Sequence, residues 1–323
     1  MKTMSVNDEI CSNLRCPKCL FKVAKKDDFY FCLNTGCGSI YPIIEGIPIF
    51  INEEKSLFRV ESYTAINFSE AKSTKKRIRK ILFKLIPGIS KNIKAKQNFK
   101  NYLNHLYSKS SKPKVLVIGG STIGQGSNVL LTEVNIELIE SDVVFGPRTQ
   151  IILDAHNIPF ANETFDGVVC QAVLEHVIDP YICVQEIHRV LKSNGTVYAE
   201  TPFMQQVHMG AYDFNRFTHL GHRRLFRNFY EIESGAVCGP GMALAWAYSY
   251  FILSFTASSK AKKILIPFVH FTSFFLKYFD YYLINKPSAL DAASGFYFMG
   301  EKSCETLKDR DLLKLYRGKT FTI

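Results

Sequence analysis

Between residues 113 and 202 a series of short apolar, β-branched runs each stops at glycine or at a polar side chain. Residues 115–118 stop at Gly119-Gly120, 136–143 close around Asp142, 151–153 stop at Asp154, and 166–170 stop at Gln171. Runs of this length, bounded by turn signals, read as strands buried on both faces of a parallel sheet. Such a sheet binds ligands outside the carboxyl ends of its strands, so the run-ending residues are the binding candidates. The two glycines allow close backbone approach, and a helix after the turn would point free N–H groups at a ligand. One of the acids Asp142 and Asp154 suits ribose hydroxyls and the other an adenine amino group. Glu140 competes with Asp142 for the ribose role, since the run alone does not fix the register.

Downstream, Asp179-Pro180 starts a helix: Asp caps it and Pro fits its first turn. Val184, Ile187, His188 and Leu191 share that helix's buried face, and 196–201 form a fifth strand. A sixth strand is expected over 231–238, after a helix ending within 225–230, and a seventh over 295–300. His188 reads as a packed helix residue.

Four segments together carry a family resemblance. They are Asp154-Ala155-His156-Asn157-Ile158-Pro159-Phe160, Glu163-Thr164-Phe165-Asp166, Val173-Leu174-Glu175-His176-Val177 and Glu186-Ile187-His188-Arg189-Val190-Leu191. The stretch resembles the class I S-adenosylmethionine-dependent methyltransferases, nearest to those acting on small molecules, quinones, lipids and glycans. Val117 stands where the family usually has an acid, Gly119-Gly120-Ser121 replaces Gly-x-Gly, and Ser193-Asn194-Gly195 replaces Pro-Gly-Gly. The resemblance implies an α/β, Rossmann-like, seven-stranded doubly wound sheet with helices on both faces. It also implies an S-adenosyl-L-methionine site at Gly119, Gly120, Ser121, Glu140 or Asp142, Asp154, Ala155 and Gln171.

The loop after the fifth strand, 203–226, is dense in polar groups: Gln205, Gln206, His208, Tyr212, Asp213, Arg216, His219 and His222. In similar enzymes it lines the acceptor pocket. Methyl transfer is a displacement helped by positioning and a dry site; a hydroxyl acceptor also needs a base. The candidates are His208, then Asp213 and His176. Arg216 and Arg223 suit an anionic acceptor group, unless Asp213 and Arg216 merely form a helix ion pair. The spacing of the three histidines in this loop does not suit a metal site.

Residues 1–55 form a zinc-ribbon-like unit. Cys16-x2-Cys19 and Cys32-x4-Cys37 are separated by twelve residues, a spacing that places four thiolates around structural zinc; Cys11 is a spare. A unit this small has little core of its own. It resembles the zinc-ribbon activators of tRNA and protein methyltransferases, and ribbons fused to some methyltransferases.

Residues 56–112 read as a basic helical linker. The chain has 40 Lys and Arg against 29 Asp and Glu, and residues 72–100 hold eleven of the bases and no acid. The excess charge is thus one local arm, which implies an anionic partner surface. Ile78, Ile81, Leu82 and Leu85 recur at helical spacing within it, so a membrane surface, RNA phosphates or solvent would each suit such a helix. Residues 113–305 form the methyltransferase domain, with an apolar helical insertion at about 241–285, and 306–323 a C-terminal tail. The insertion's first run is long enough to span a bilayer, but Lys277, Asp280 and the return to one sheet favour a hairpin lying on or dipping into a membrane, or an apolar cap.

No apolar segment opens the sequence, and the cysteines do not read as a disulfide framework. A cytoplasmic location, peripheral on the inner membrane face, is expected. The expected function is methyl transfer to a small-molecule, lipid-linked or glycan-type acceptor. The alternatives are an RNA methyltransferase using the ribbon to hold RNA, and a degenerate, non-catalytic scaffold.

Overall fold

The structure, a computed structural model, describes residues 11–64 and 86–319. The helical pattern at Ile78, Ile81, Leu82 and Leu85 lies outside the described residues. In chain order the main elements are β1 (Val23–Lys26), β2 (Phe29–Cys32), β3 (Ile40–Ile44), β4 (Ile47–Phe50), α1 (Ala95–Tyr107), β5 (Lys114–Ile118), β6 (Glu137–Asp142), β7 (Ile151–Leu153) and β8 (Phe165–Gln171). They continue with α2 (Pro180–Val190), β9 (Leu191–Pro202), α3 (His219–Leu225), β10 (Phe229–Cys238), α4 (Pro240–Leu253), α5 (Ser259–Ser273) and β11 (Gly295–Lys302).

The strands form one sheet in the order β1-β2-β3-β4-β7-β6-β5-β8-β9-β11-β10. From β7 to β9 the pairings are parallel, whereas β11 runs antiparallel to both β9 and β10. This is the doubly wound sheet that the sequence implied. The chain moves outward from β5 to β7, then returns to the other side of β5 with β8. That reversal opens a crevice at the carboxyl ends of β5 and β8. On one face Phe99, Tyr102 and Leu103 of α1 pack with Val115, Val169 and Tyr198. On the other, Cys183, Val184 and Ile187 of α2 pack with Leu116 and Val168. Asp179 caps α2 by accepting from the N–H groups of Tyr181 and Ile182, as its sequence position suggests.

The helix expected directly after the glycine turn is a single turn at 128–131. Gly126 has φ +85°, and a Cβ there would meet the Lys96 nitrogen at 2.7 Å. The segment therefore lies flat against the start of α1, and glycine-rich chain is poor helix. Instead of a helix N-terminus, the loop's own backbone faces the crevice. The helix expected to end within 225–230 stops at Leu225, and β10 starts at Phe229.

The N-terminal unit is built into the sheet. β4 pairs in parallel with β7, Ile49 opposite Ile152 and Phe50 opposite Leu153. Leu14, Cys16, Tyr30, Tyr41 and Phe50 belong to the same buried cluster as Ile139, Ile151 and Phe160. The ribbon thus gains the core that its size denies it, and β7 is shielded from being an open edge.

The insertion between β10 and β11 is a helical hairpin, α4 and α5, followed by short turns. Among the described residues no helix is long and apolar enough to cross a membrane. Asp280 is buried beneath α4 and accepts from the N–H groups of Gly241 at 2.7 Å and Met242 at 2.9 Å. Lys277, also buried, donates to the Gly88 carbonyl. The charges that interrupt the apolar run are thus internal fasteners. Leu244, Phe251, Phe255, Ile264, Phe268 and Phe271 are among twelve large apolar or aromatic side chains exposed between 244 and 282.

Candidate active site

Two adjoining cavities occupy the crevice. The larger, about 480 Å³, is bordered by Gly119, Ser121, Asp142, Asp154, Ala155 and His176. The smaller, about 340 Å³, is bordered by Gly119, Gly124, Gln171, Glu175, Glu200 and His208. Gly119 and Ala172 line both. Gly119 has φ +79°, and a Cβ would come within 2.4 Å of Val173 Cγ2. Only glycine keeps the passage between the cavities in this shape.

The structure separates the paired acid candidates. Asp142 faces the larger cavity and accepts from the N–H groups of Ser121, Val143 and Val144. Glu140 lies behind the turn with Gly120, bound to Arg148 at 2.7 Å. Neither Glu140 nor Gly120 borders the two main cavities. Asp154 is buried and accepts from Ser56 Oγ at 2.5 Å and from His156 N and Nδ1 at 3.0 and 2.6 Å. Burial opposes its charge, but the His156 and Ser56 hydrogen bonds together hold its carboxyl below the ordinary value. His156 Nε2 accepts from Asp179 N at 3.1 Å, which ties this wall to the cap of α2. Leu57 and Phe58 close the larger cavity from the ribbon side, with Phe58 stacked on Tyr212 at 6.0 Å.

His208, Asp213 and His176, far apart in sequence, meet at the boundary of the cavities. The His176 and His208 rings are 4.9 Å apart. His176 Nδ1 lies 2.8 Å from the Tyr212 carbonyl, so that nitrogen carries the proton. His208 Nδ1 lies 3.4 Å from Asp213 Oδ2 and 3.3 Å from the Gln206 carbonyl, which makes it the donor there too. Both Nε2 atoms are turned toward Glu175, at 3.7 and 3.9 Å from its Oε1. Arg216 grips Asp213 with both ends of its fork, and its guanidinium holds that carboxyl down at about 2. It also donates to the Gln205 carbonyl at 2.8 Å, fastening the whole loop.

Residues 123–199 match the family described as "Methyltransferase domain". This stretch of the chain is a methyltransferase domain. No curated protein matches the sequence. Similar solved structures include a candidate sarcosine dimethylglycine methyltransferase from Galdieria sulphuraria, at 12% identity over 64% of this chain and 85% of that one, with a TM-score of 0.41. Another is phosphoethanolamine N-methyltransferase 2 of Haemonchus contortus with S-adenosyl-L-methionine, at 14% identity over 64% of this chain and 53% of that one, TM-score 0.38. A third is geranyl diphosphate C-methyltransferase of Streptomyces coelicolor A3(2), at 10% identity, 64% and 75% coverage and TM-score 0.39.

The methyltransferase crevice holds two buried acids that the sequence reading passed over. Glu175 is 1% exposed, and among the described residues neither of its oxygens has a hydrogen-bond partner. Burial pushes its carboxyl up to about 8. Its place next to His176 was the available signal, but its burial comes from the loop, which docks Phe214 and Asn215 on the Glu175 carbonyl. Glu200 accepts from Tyr198, Gln171 and Asn92 at 2.5, 2.9 and 2.9 Å, and burial raises it to about 7. Gln171 thereby sits between Glu200 and the Gln125 carbonyl. The anionic-acceptor role expected of Arg216 and Arg223 does not hold. Arg216 is spent on Asp213 and the loop, and is not on a helix, while Arg223 is buried against Phe226 O, Phe229 O and Glu231. His219 and His222 lie in α3, packed on Phe296 and Phe226, away from the cavities.

In the methyltransferase's N-terminal unit, Cys16, Cys19, Cys32 and Cys37 converge with their sulfurs all within 4.8 Å. Cys16 and Cys37 are 3.7 Å apart, Cys19 and Cys32 3.4 Å. Four thiolates around zinc at ~2.3 Å stand ~3.8 Å apart, so the set fits the ion. Tyr41 Oη lies 3.0 Å from Cys16 Sγ, where it would donate to a thiolate. Cys11 stands apart from the four.

Proposed function

We propose that this methyltransferase methylates an amphipathic acceptor, lipid-linked or glycan-type, at a membrane surface. One observation carries the reading: the wall of the smaller cavity and the exposed apolar hairpin are the same helix. Met242 of α4 lines that cavity, and Trp246 meets the His208 ring at 6.2 Å. Tyr250 donates to the Val207 carbonyl, tying the loop to the hairpin. On the opposite side α4 exposes Leu244 and Phe251. Exposed apolar surface of this extent marks an interaction site, and Lys260 and Lys263 beside it suit anionic headgroups. The basic arm at 72–100 adds charge of the same sign, and an inner membrane face is the location that suits both.

S-adenosylmethionine fits the larger cavity, whose volume is in the range of cofactor sites. Asp142 would face the ribose, Asp154 and Ala155 the adenine, and Gly119 the turn toward Gln171. Bound there, the sulfonium supplies an electrophilic methyl group and leaves as a neutral thioether. The chain's part is to hold both partners in line and keep water out. Glu175, His176 and His208 lie at the junction of the two cavities, beside the place where a hydroxyl acceptor would meet the donor. Structural zinc at the four cysteines completes the reading.

The test uses purified protein with methyl-labelled S-adenosylmethionine and a host extract split into lipid, glycan, RNA and protein fractions. Label in lipid or glycan, absent with Asp154→Asn, supports the proposal. Label confined to RNA overturns it, and no label with no donor binding by calorimetry points to a scaffold.

A further inference from the structure

The cluster at the boundary of the cavities presents three electron-pair donors to one point. His176 and His208 each commit Nδ1–H to a carbonyl or carboxylate, which leaves a bare lone pair on each Nε2. Both Nε2 atoms lie near Glu175 Oε1, at 3.7 and 3.9 Å. Glu175 is 1% exposed and neither oxygen has a partner among the described residues. A buried carboxylate whose oxygens lack a hydrogen bond is costly. Three such groups facing one another are reconciled by a positive charge in their midst, a proton on Glu175 or a metal ion.

We infer that Glu175, His176 and His208 bind a divalent first-row transition-metal ion. The ligand atoms all lie within 4.8 Å of one another. Two imidazoles and one carboxylate are a donor set used for zinc and for ferrous iron with open positions. The Nδ1 hydrogen bonds to the Tyr212 and Gln206 carbonyls are the kind of support that orients ligating histidines, and Asp213 holds the His208 backbone N–H at 2.9 Å. Asp213 is in turn fixed by Arg216. Glu175 and His208 border the smaller cavity and His176 the larger, so the open positions face the junction where donor and acceptor would meet. An oxygen-bearing acceptor, a hydroxyl or a phosphoester, is the class that such an ion would hold. That last clause rests on the methyl-transfer reading; the ion's binding does not.

Chelator-treated full-length protein is titrated with Co2+ alone and followed by absorption and calorimetry. An ion held by the four cysteines shows intense thiolate charge-transfer bands, and the inferred ion lacks them. The expected result is an ion without those bands, lost in His208→Ala and in Glu175→Gln, and bound roughly 10–100-fold more weakly in Asp213→Asn. Circular dichroism confirms that the His208→Ala chain, altered on a surface loop, stays folded. A wild-type chain that takes up only the thiolate-held ion overturns the inference and leaves a proton on Glu175 as the bridge. A second ion that survives His208→Ala overturns it as well. If the chain binds the ion but labels no extract fraction, the methyl-transfer reading fails and this one stands.

Discussion

Ile49 and Ile152 sit opposite each other in a parallel ladder that joins the cysteine-rich unit to the methyltransferase sheet. Both are fully buried. Any loosening of the ribbon therefore reaches β7, whose carboxyl end delivers Asp154 to the larger cavity. Cys16→Ser, or strong chelation of a zinc-loaded chain, should lower the melting temperature of the whole protein in one transition. A loss of ~2–4 kcal/mol corresponds to about 5–15 °C for a domain of this size. Deleting residues 1–55 should leave β7 as a bare apolar edge and give aggregated protein. Differential scanning calorimetry decides; two independent transitions would mean that the ribbon folds by itself.

The parallel order of β5 to β9 was legible because buried strands of this class are written locally, as apolar runs ending at a turn. His208, Asp213 and His176 could be singled out one by one, since each carries a side chain suited to proton chemistry, but nothing in their spacing says that they meet. Glu175 was not, because its burial depends on a loop almost forty residues away. Pairing of β4 with β7 was equally hidden: a parallel partner leaves no mark in either strand's own pattern. Lys277 and Asp280 read as polar interruptions, yet they point inward and fasten the hairpin.

Asp280 offers a stability test. Its carboxylate satisfies the first N–H groups of α4 from a position that is fully buried. Asp280→Ala leaves those donors unpaired in an apolar setting. The expected cost is about 2–3 kcal/mol, read as a lower denaturant midpoint at unchanged slope. A change under about 0.5 kcal/mol would mean that water replaces the cap.

The exposed face of the hairpin predicts a graded loss of membrane binding. Phe251, Phe268 and Phe271 are 62%, 56% and 56% exposed. Burying one such ring in the interface is worth ~1.5–3 kcal/mol, which is about tenfold or more in affinity. Each Phe→Ser substitution should weaken co-sedimentation with anionic vesicles by about that factor, while melting temperature and donor binding stay unchanged. Equal sedimentation of wild type and the triple variant would assign the face to packing against another protein.

Acid should destabilise the chain partly through α3. Burial pushes the His222 imidazole down to about 3 and the His219 imidazole down to about 4, from about 6.5 in an unfolded chain. Between those limits the unfolded state binds a proton at each position that the native state does not, so stability falls as pH drops through 6.5 and goes on falling to about 4 or 3. Glu200, raised to about 7 by burial, acts in the opposite sense: between pH 4.5 and 7 the native state holds a proton that the unfolded state has released. The net slope thus mixes both signs, and a single variant isolates one. His222→Gln keeps the volume nearly constant and removes one titration. Its stability should fall less steeply than wild type between pH 6 and 4, by about 1.4 kcal/mol per pH unit. Urea midpoints at half-unit pH intervals measure the difference; parallel curves would mean that His222 is protonated in the native state and finds a partner within α3.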